Sequence, residues 1–276
     1  MKALTLCADD FAQSPAISAA ILELIASQRI AATSVMSQSP LWPSLAGELA
    51  GLADAADIGL HFNLTHPFSA DARPLSYWLL KSPAGLVSRS AMRDGLLKQI
   101  DRFTEHFQRL PDFIDGHQHV HALPVIRGAL FEAVSLRWQD GERPYLRAPD
   151  RLGHPGDSWL KALLLKGLST GFARQADSRG FATAPWFAGL YSLSAQTNFA
   201  ELMRRWLALC PDGSLLMCHP GQAARDRADP IGAVRALEYG YLSSQRFAED
   251  CQRNAVVIRR FSKPHRPQEG KPRMGH

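Results

Sequence analysis

The chain alternates between short apolar runs and segments whose apolar residues recur at helical spacing. Residues 3–8 form a compact apolar run that suits a strand buried on both faces. Ser14-Pro15 then supplies a helix N-cap and a proline at the first helical position, and Ile17, Ile21, Leu24 and Ile25 follow at helical spacing. The pattern continues with a strand over 32–36, a helix over 42–53 and a strand over 58–64. Residues 66–87 contain Pro67, Pro74 and Pro83 and read as a long irregular loop, of the kind that forms lids or substrate walls. Beyond it the periodicity predicts a helix over 91–107, a strand over 113–115, a helix over 124–134, a strand over 144–147 and a helix over 158–172. A short strand over 187–190, a helix over 199–209, a strand over 214–218, a helical stretch across much of 231–251 and a last strand over 255–259 complete the series. Seven or eight strand–helix units in this length predict an α/β fold in one domain, a (β/α) barrel-like sheet (TIM-like, seven-stranded or distorted) with helical cover.

Polar residues stand where five of these strands end. Asp9-Asp10 follows the first, His61 and Asn63 end the third, and Asp115, His117, His119 and His121 follow the strand at 113. Arg147 ends the strand at 144, and His219 the strand at 214. In parallel α/β barrels the C-terminal strand ends form the active-site face, so these groups converge on one mouth. Two adjacent carboxylates are costly to hold together unless they have different tasks or share a cation; one would bind the cation and the other remain a free base. The plainer alternative is a pair of N-capping residues for the next helix. Three histidines at spacing two share one side if their segment is extended, and neutral imidazole is the commonest nitrogen ligand for zinc-like ions. His121 is the one of the three best explained as structural. His219 sits in Cys218-His219-Pro220-Gly221, where Pro and Gly account for a tight turn but not for the histidine, which suits a general acid. His66, His106, His154, His265 and His276 lack such a setting and read as surface residues.

Composition narrows the picture. The net charge is +5, but Lys263, Arg266, Lys271 and Arg273 against Glu269 place +3 of it after residue 262. The expected organisation is therefore a catalytic domain over 1–262 and a basic, disordered tail over 263–276, with no nucleic-acid partner. No apolar run approaches the roughly 20 residues that span a bilayer. The acidic pair at 9–10 comes too early for a secretory signal, which predicts a soluble, cytoplasmic protein. Cys7, Cys210, Cys218 and Cys251 form no C-x-x-C pair and suit a reducing compartment.

Taken together, Ala8-Asp9-Asp10-Phe11, Gly59-Leu60-His61-Phe62-Asn63-Leu64-Thr65, Asp115-Gly116-His117-Gln118-His119-Val120-His121, Leu146-Arg147-Ala148-Pro149 and Cys218-His219-Pro220-Gly221 resemble, in order, the YdjC/ChbG family of carbohydrate deacetylases, which includes the HpnK hopanoid-biosynthesis branch. The stretch from Glu238 to Phe247 is also similar. The resemblance implies a (β/α) barrel-like fold, a divalent metal (Zn or Mg) held by Asp10, His61 and His117, and hydrolysis of the N-acetyl group of a sugar of chito-oligosaccharide type. Its hopanoid branch implies the alternative of a lipid-linked N-acetylglucosaminyl substrate. A metal- and sugar-binding protein without turnover is the rival from another class. Three positions depart from the family pattern: Ala12 replaces a glycine and would be strained at positive φ, Gln118 stands where histidine is frequent, and Gly116 where serine is.

The mechanism expected on that basis gives Asp9 the proton of the attacking water and has His219 protonate the departing amine. Arg147 would hold Asp9 ionised or contact the sugar. His119 or His121 would orient His117, and Asn63 and Asp115 would support the site or meet substrate. A homodimer is the default assembly.

Overall fold

The computed structural model describes residues 1–139, 142–154, 156–222 and 229–262, and the tail expected over 263–276 lies outside them. In chain order the elements are β1 (Lys2–Phe11), α1 (Pro15–Ala26), β2 (Ala32–Val35), α2 (Trp42–Ala50), β3 (Asp57–Phe62), α3 (Leu75–Lys81), α4 (Arg89–Phe107), β4 (Phe113–Gly116), α5 (Ile126–Arg137) and β5 (Tyr145–Leu146). They continue with α6 (Trp159–Ser169), α7 (Phe172–Asp177), β6 (Phe187–Ala188), α8 (Phe199–Leu209), β7 (Ser214–Cys218), α9 (Gly232–Leu242), α10 (Gln245–Arg253) and β8 (Val256–Ile258).

The strands form one parallel sheet in the order β5-β4-β3-β2-β1-β7-β6, with β8 pairing the start of β1. Among the described residues the gap between its two end strands is spanned by single bridges, Leu146 of β5 to Thr183 and Leu152 to Phe187 of β6. The barrel expectation therefore holds in a distorted form: seven strands curl round, and the seam is stitched rather than laddered. β1 is central and buried on both faces from Leu4 onward, which explains its unbroken apolar run. Outside the sheet, Trp42 stacks on Phe103 at 5.4 Å and meets Phe11 edge-on at 6.3 Å, tying α2 and α4 to the central strand.

Helix starts follow local chemistry. Ser14 accepts from the Ile17 backbone N–H, with Pro15 next, and Ser88, Asn198 and Ser244 cap α4, α8 and α10 in the same way. Two expected helices are each divided in two. The 231–251 stretch breaks at Ser243-Ser244 because Ser244 turns extended and caps α10. The 158–172 stretch breaks at Thr170-Gly171, where Gly171 is left-handed. The 66–87 loop is only partly irregular. Pro74, extended, starts α3 rather than preventing it, and Trp78 is buried with its indole N–H on the carbonyls of Leu64 and Arg73.

Candidate active site

The strand ends do converge. Strict alternation along β1 would send Asp9 and Asp10 to opposite faces. The register of β1 on β2 shifts between Ala8 and Phe11, and Asp10 adopts a left-handed φ of 71°. The irregularity re-aims the chain so that both carboxylates serve the same mouth. Asp tolerates this conformation better than most residues. Ala12 has φ 70° as well, so this position does demand the geometry glycine would supply.

Asp10 Oδ1 lies 3.2 Å from His61 Nε2 and 3.0 Å from His117 Nδ1. The three donor atoms fall within 4.8 Å of one another, a spacing that suits a single cation. Asp10 Oδ2 is held by Arg235 at 2.8 Å, and Arg235 is itself held by Asp229 at 2.6 Å. Burial would raise Asp10, but Arg235 and the two histidines hold its carboxyl well below the usual range. His61 is fixed from behind. The β3–β4 register places it opposite Asp115, whose Oδ1 lies 2.7 Å from His61 Nδ1, and Ser34 Oγ lies 2.9 Å from the same nitrogen. A carboxylate behind a histidine whose other nitrogen points at two further ligand atoms is the usual support of a metal-binding imidazole. Burial alone would lower His61; Asp115, Asp10 and Asp9 outweigh it and push it up to about 10. A bound metal ion would supply the positive charge that these carboxylates favour at His61. The donor set of two nitrogens and one carboxylate oxygen fits a divalent ion of the zinc class.

Asp9 belongs to a separate, fully buried cluster. Arg147 donates to both of its oxygens, Nη1 to Oδ2 at 2.7 Å and Nη2 to Oδ1 at 2.6 Å, and Nη2 also lies 2.6 Å from Asp115 Oδ2. Burial acts to raise Asp9, and Arg147 overrides it, keeping the carboxyl well below its ordinary value. Arg147 is 1% exposed, so the sugar contact considered for it is excluded; it is the clamp that ionises Asp9 and steadies Asp115. His219 Nε2 stands 4.0 Å from Asp9 Oδ2, and its Nδ1 stands 4.0 Å from Glu238 Oε1. Burial brings His219 down to about 4 despite the acids nearby. Glu238 accepts from the His219 backbone N–H and from the Tyr191 hydroxyl, and burial pushes its carboxyl up to about 7.

Other expectations need correction. Residues 117–122 form a 3-10 turn in which Gln118 and His119 are left-handed, so the three histidines do not share one extended face. His117 spends Nδ1 on Asp10, and among the described residues neither His119 nor His121 bonds it. His121 is buried and its Nε2 bonds the Arg147 carbonyl at 2.9 Å, a structural role. Its ring explains Gly116: a Cβ there would meet His121 Nδ1 at 2.8 Å. His119 packs edge-on against Phe187 and faces the cavity; burial and Arg147 keep its ring neutral. Asn63 lies off the cavity. Its Oδ1 accepts from Thr65 and His66 backbone N–H groups, so it shapes the turn that presents His66.

His66 is therefore no plain surface residue: it lines the cavity, with its ring 6.1 Å from that of His117. Arg235 and Glu238 are the residues that sequence reasoning passed over. The available signal was two charged residues three apart on the buried side of α9, beside Val234, Tyr241 and Leu242. The Asp10–His61–His117 trio, Asp9, His66, His119, His219 and Arg235 line one cavity of about 800 Å³, whose walls are leucine-rich, with Leu75 and Leu79 from α3 and Leu164, Leu165 and Leu168 from α6.

Residues 3–253 match the family model described as YdjC-like protein. The chain is 31% identical over 174 residues to a carbohydrate deacetylase of Mus musculus, an alignment covering 58% of this chain and 54% of the relative. It is 31% identical over 134 residues to a chitooligosaccharide deacetylase of Yersinia pestis (strain Pestoides F), covering 45% and 53% respectively. It thus spans about half the length of the curated relatives it matches. A crystal structure from Enterococcus faecalis, provisionally named a cellobiose-phosphate cleavage protein, superposes with a TM-score of 0.68 at 19% identity, over 94% of this chain and 97% of that one, and shares the fold.

Proposed function

The chain belongs to the YdjC-like protein family, and from that premise we propose that it is a metal-dependent carbohydrate deacetylase that hydrolyses the N-acetyl group of an N-acetylated sugar. The observation that carries this reading is the Asp10–His61–His117 donor set, backed by Asp115 and Arg235, at the floor of a cavity that also holds His219. A divalent ion on these three residues would polarise the acyl carbonyl and make water more acidic.

The chain's own groups then handle the proton. Amide cleavage needs a base for water and an acid for the departing nitrogen. Asp9 was expected to be that base, but both of its oxygens are engaged by Arg147 and its proton affinity is depressed. Neutral His219 is better suited to take the proton from water and return it to the leaving amine. Asp9, fixed as an anion 4.0 Å away, stabilises the imidazolium formed in between. Glu238 and Tyr191 fix His219 through its backbone.

The substrate class rests on the named relatives, one a carbohydrate deacetylase and one a chitooligosaccharide deacetylase. The leucine walls of the cavity favour a second reading for the substrate's remainder, a sugar carried on a lipid, with the same chemistry. The test is acetate release by protein stripped with a chelator and then given Zn, Mg, Mn or Co separately. One arm uses diacetylchitobiose and the other an N-acetylglucosaminyl lipid. Restored release in either arm supports the reaction and selects the substrate and metal. Metal binding without release in both arms supports the non-catalytic alternative.

A further inference from the structure

Helix α6 reverses the ordinary pattern of a surface helix. Its sequence is Trp-Leu-Lys-Ala-Leu-Leu-Leu-Lys-Gly-Leu-Ser, yet only Ala162 and Ser169 are buried. Trp159, Leu160, Leu163 and Leu164 are 69%, 64%, 63% and 53% exposed. A helix that merely covers a core turns such residues inward. The inner edge of α6 lines the active-site cavity through Leu164, Leu165 and Leu168. Helix α3 repeats the arrangement, with Leu75 and Leu79 lining the cavity while Leu80 stands 69% exposed. The outer face of α6 is thus apolar beside the cavity, and a patch of this kind marks an interaction surface.

The charged residues of α6 itself are both cations, Lys161 and Lys166, and Lys81 ends α3, while the nearest acids in sequence, Asp157 and Asp177, lie outside α6. We propose that this rim is a docking surface for an anionic lipid bilayer, on which α6 lies flat with its tryptophan and leucines among the headgroups. A short tryptophan- and leucine-bearing helix with lysines at its margins is the chemistry of interfacial helices, and each cation adds attraction to anionic lipid. Among the described residues no helix is long and apolar enough to cross a membrane, so the contact is peripheral. A second copy of the chain fits the surface less well, because a twofold contact presents the same patch to itself and would set Lys161 and Lys166 near their own equivalents. Docked in this way, the mouth opens toward the bilayer. The docking does not depend on which acyl group the site removes.

The experiment is flotation of the full chain with phosphatidylcholine vesicles, with and without phosphatidylglycerol, read as bound protein without any turnover. The chain should float with the anionic vesicles and far less with the neutral ones. Leu160→Glu and Leu163→Glu should each lower the partition about tenfold or more, the scale set by returning a leucine to water. Neither side chain lines the cavity, so both variants should keep acetate release from a soluble sugar. Lys166→Glu, a change at an exposed charge, should weaken binding in low salt and serves if the leucine variants misfold. Absence of flotation with either vesicle overturns the proposal, as does equal flotation with both. It is also overturned if the wild type is a dimer that Leu163→Glu converts to a monomer, which would make the patch a self-interface.

Discussion

Replacing Arg147 by Met should unbalance the buried charge cluster more than any other single change. The guanidinium touches Asp9 at 2.6 and 2.7 Å and Asp115 at 2.6 Å, and all three side chains are at most 3% exposed. Removing one member of a buried ionic set leaves the others desolvated and unpaired, at a cost of about 3–5 kcal/mol. That is a large part of the total stability of a domain, roughly 5–15 kcal/mol. The loss has a pH signature. In the wild type Asp9 is held below its ordinary value, so its contribution is present above the carboxylate range and fades only as pH falls through the depressed value. Without Arg147 the dominant remaining influence is burial, which raises Asp9; the variant should then lose stability as pH rises and recover some of it in acid. Urea unfolding of chelated protein at several pH values between acid and mildly alkaline reads both effects, and adding Asp9→Asn to Arg147→Met should restore part of the loss. A destabilisation below about 1 kcal/mol, or one of equal size at every pH, refutes the reasoning.

Further changes test the site from other directions. Asp115→Asn should weaken metal binding by about 10–100-fold, measured by competition with a chromogenic chelator, because His61 loses the carboxylate that orients it. His219→Ala should lower the rate of acetate release by roughly 100- to 10,000-fold while leaving metal affinity unchanged; lost metal would place it among the ligands. With His219 held down to about 4, metal-saturated protein should lose rate through protonation of this ring as pH drops into that region. Glu238 has its carboxyl raised from 4.5 to about 7, so native protein holds the proton longer than unfolded protein does, and stability should decline as pH rises across that window. Glu238→Gln should flatten this decline in a series of thermal melts.

The legible part of this protein was what local pattern encodes. Apolar runs located the strands, Ser14-Pro15 marked the start of α1, and polar residues at strand ends marked the mouth. Asp10, His61 and His117 lie far apart in sequence, yet each ends or follows a parallel strand, and the sheet order brings them together. What the pattern hid depends on backbone detail or on distant partners. Left-handed Gln118 and His119 curl the histidine segment, so spacing two no longer means one face. Arg235 reaches Asp10 across 225 positions of chain, so its place on the apolar side of α9 hints that it is buried but not which group it meets. His66 gained its place because Asn63 caps the turn before it. Pro74 read as part of an irregular loop because a proline cannot continue a helix, yet here it precedes the first turn of α3 and so leaves its hydrogen bonds intact.

The most direct test of the account is a calorimetric titration of stripped protein with zinc, run alongside acetate release on the same samples, for the wild type and for Asp10→Ala. The account predicts that one ion binds per wild-type chain, that release of acetate rises with occupancy and levels off at the same equivalence point, and that Asp10→Ala loses both. Acetate release that persists without metal, or an Asp10→Ala variant that binds and turns over like the wild type, would contradict it.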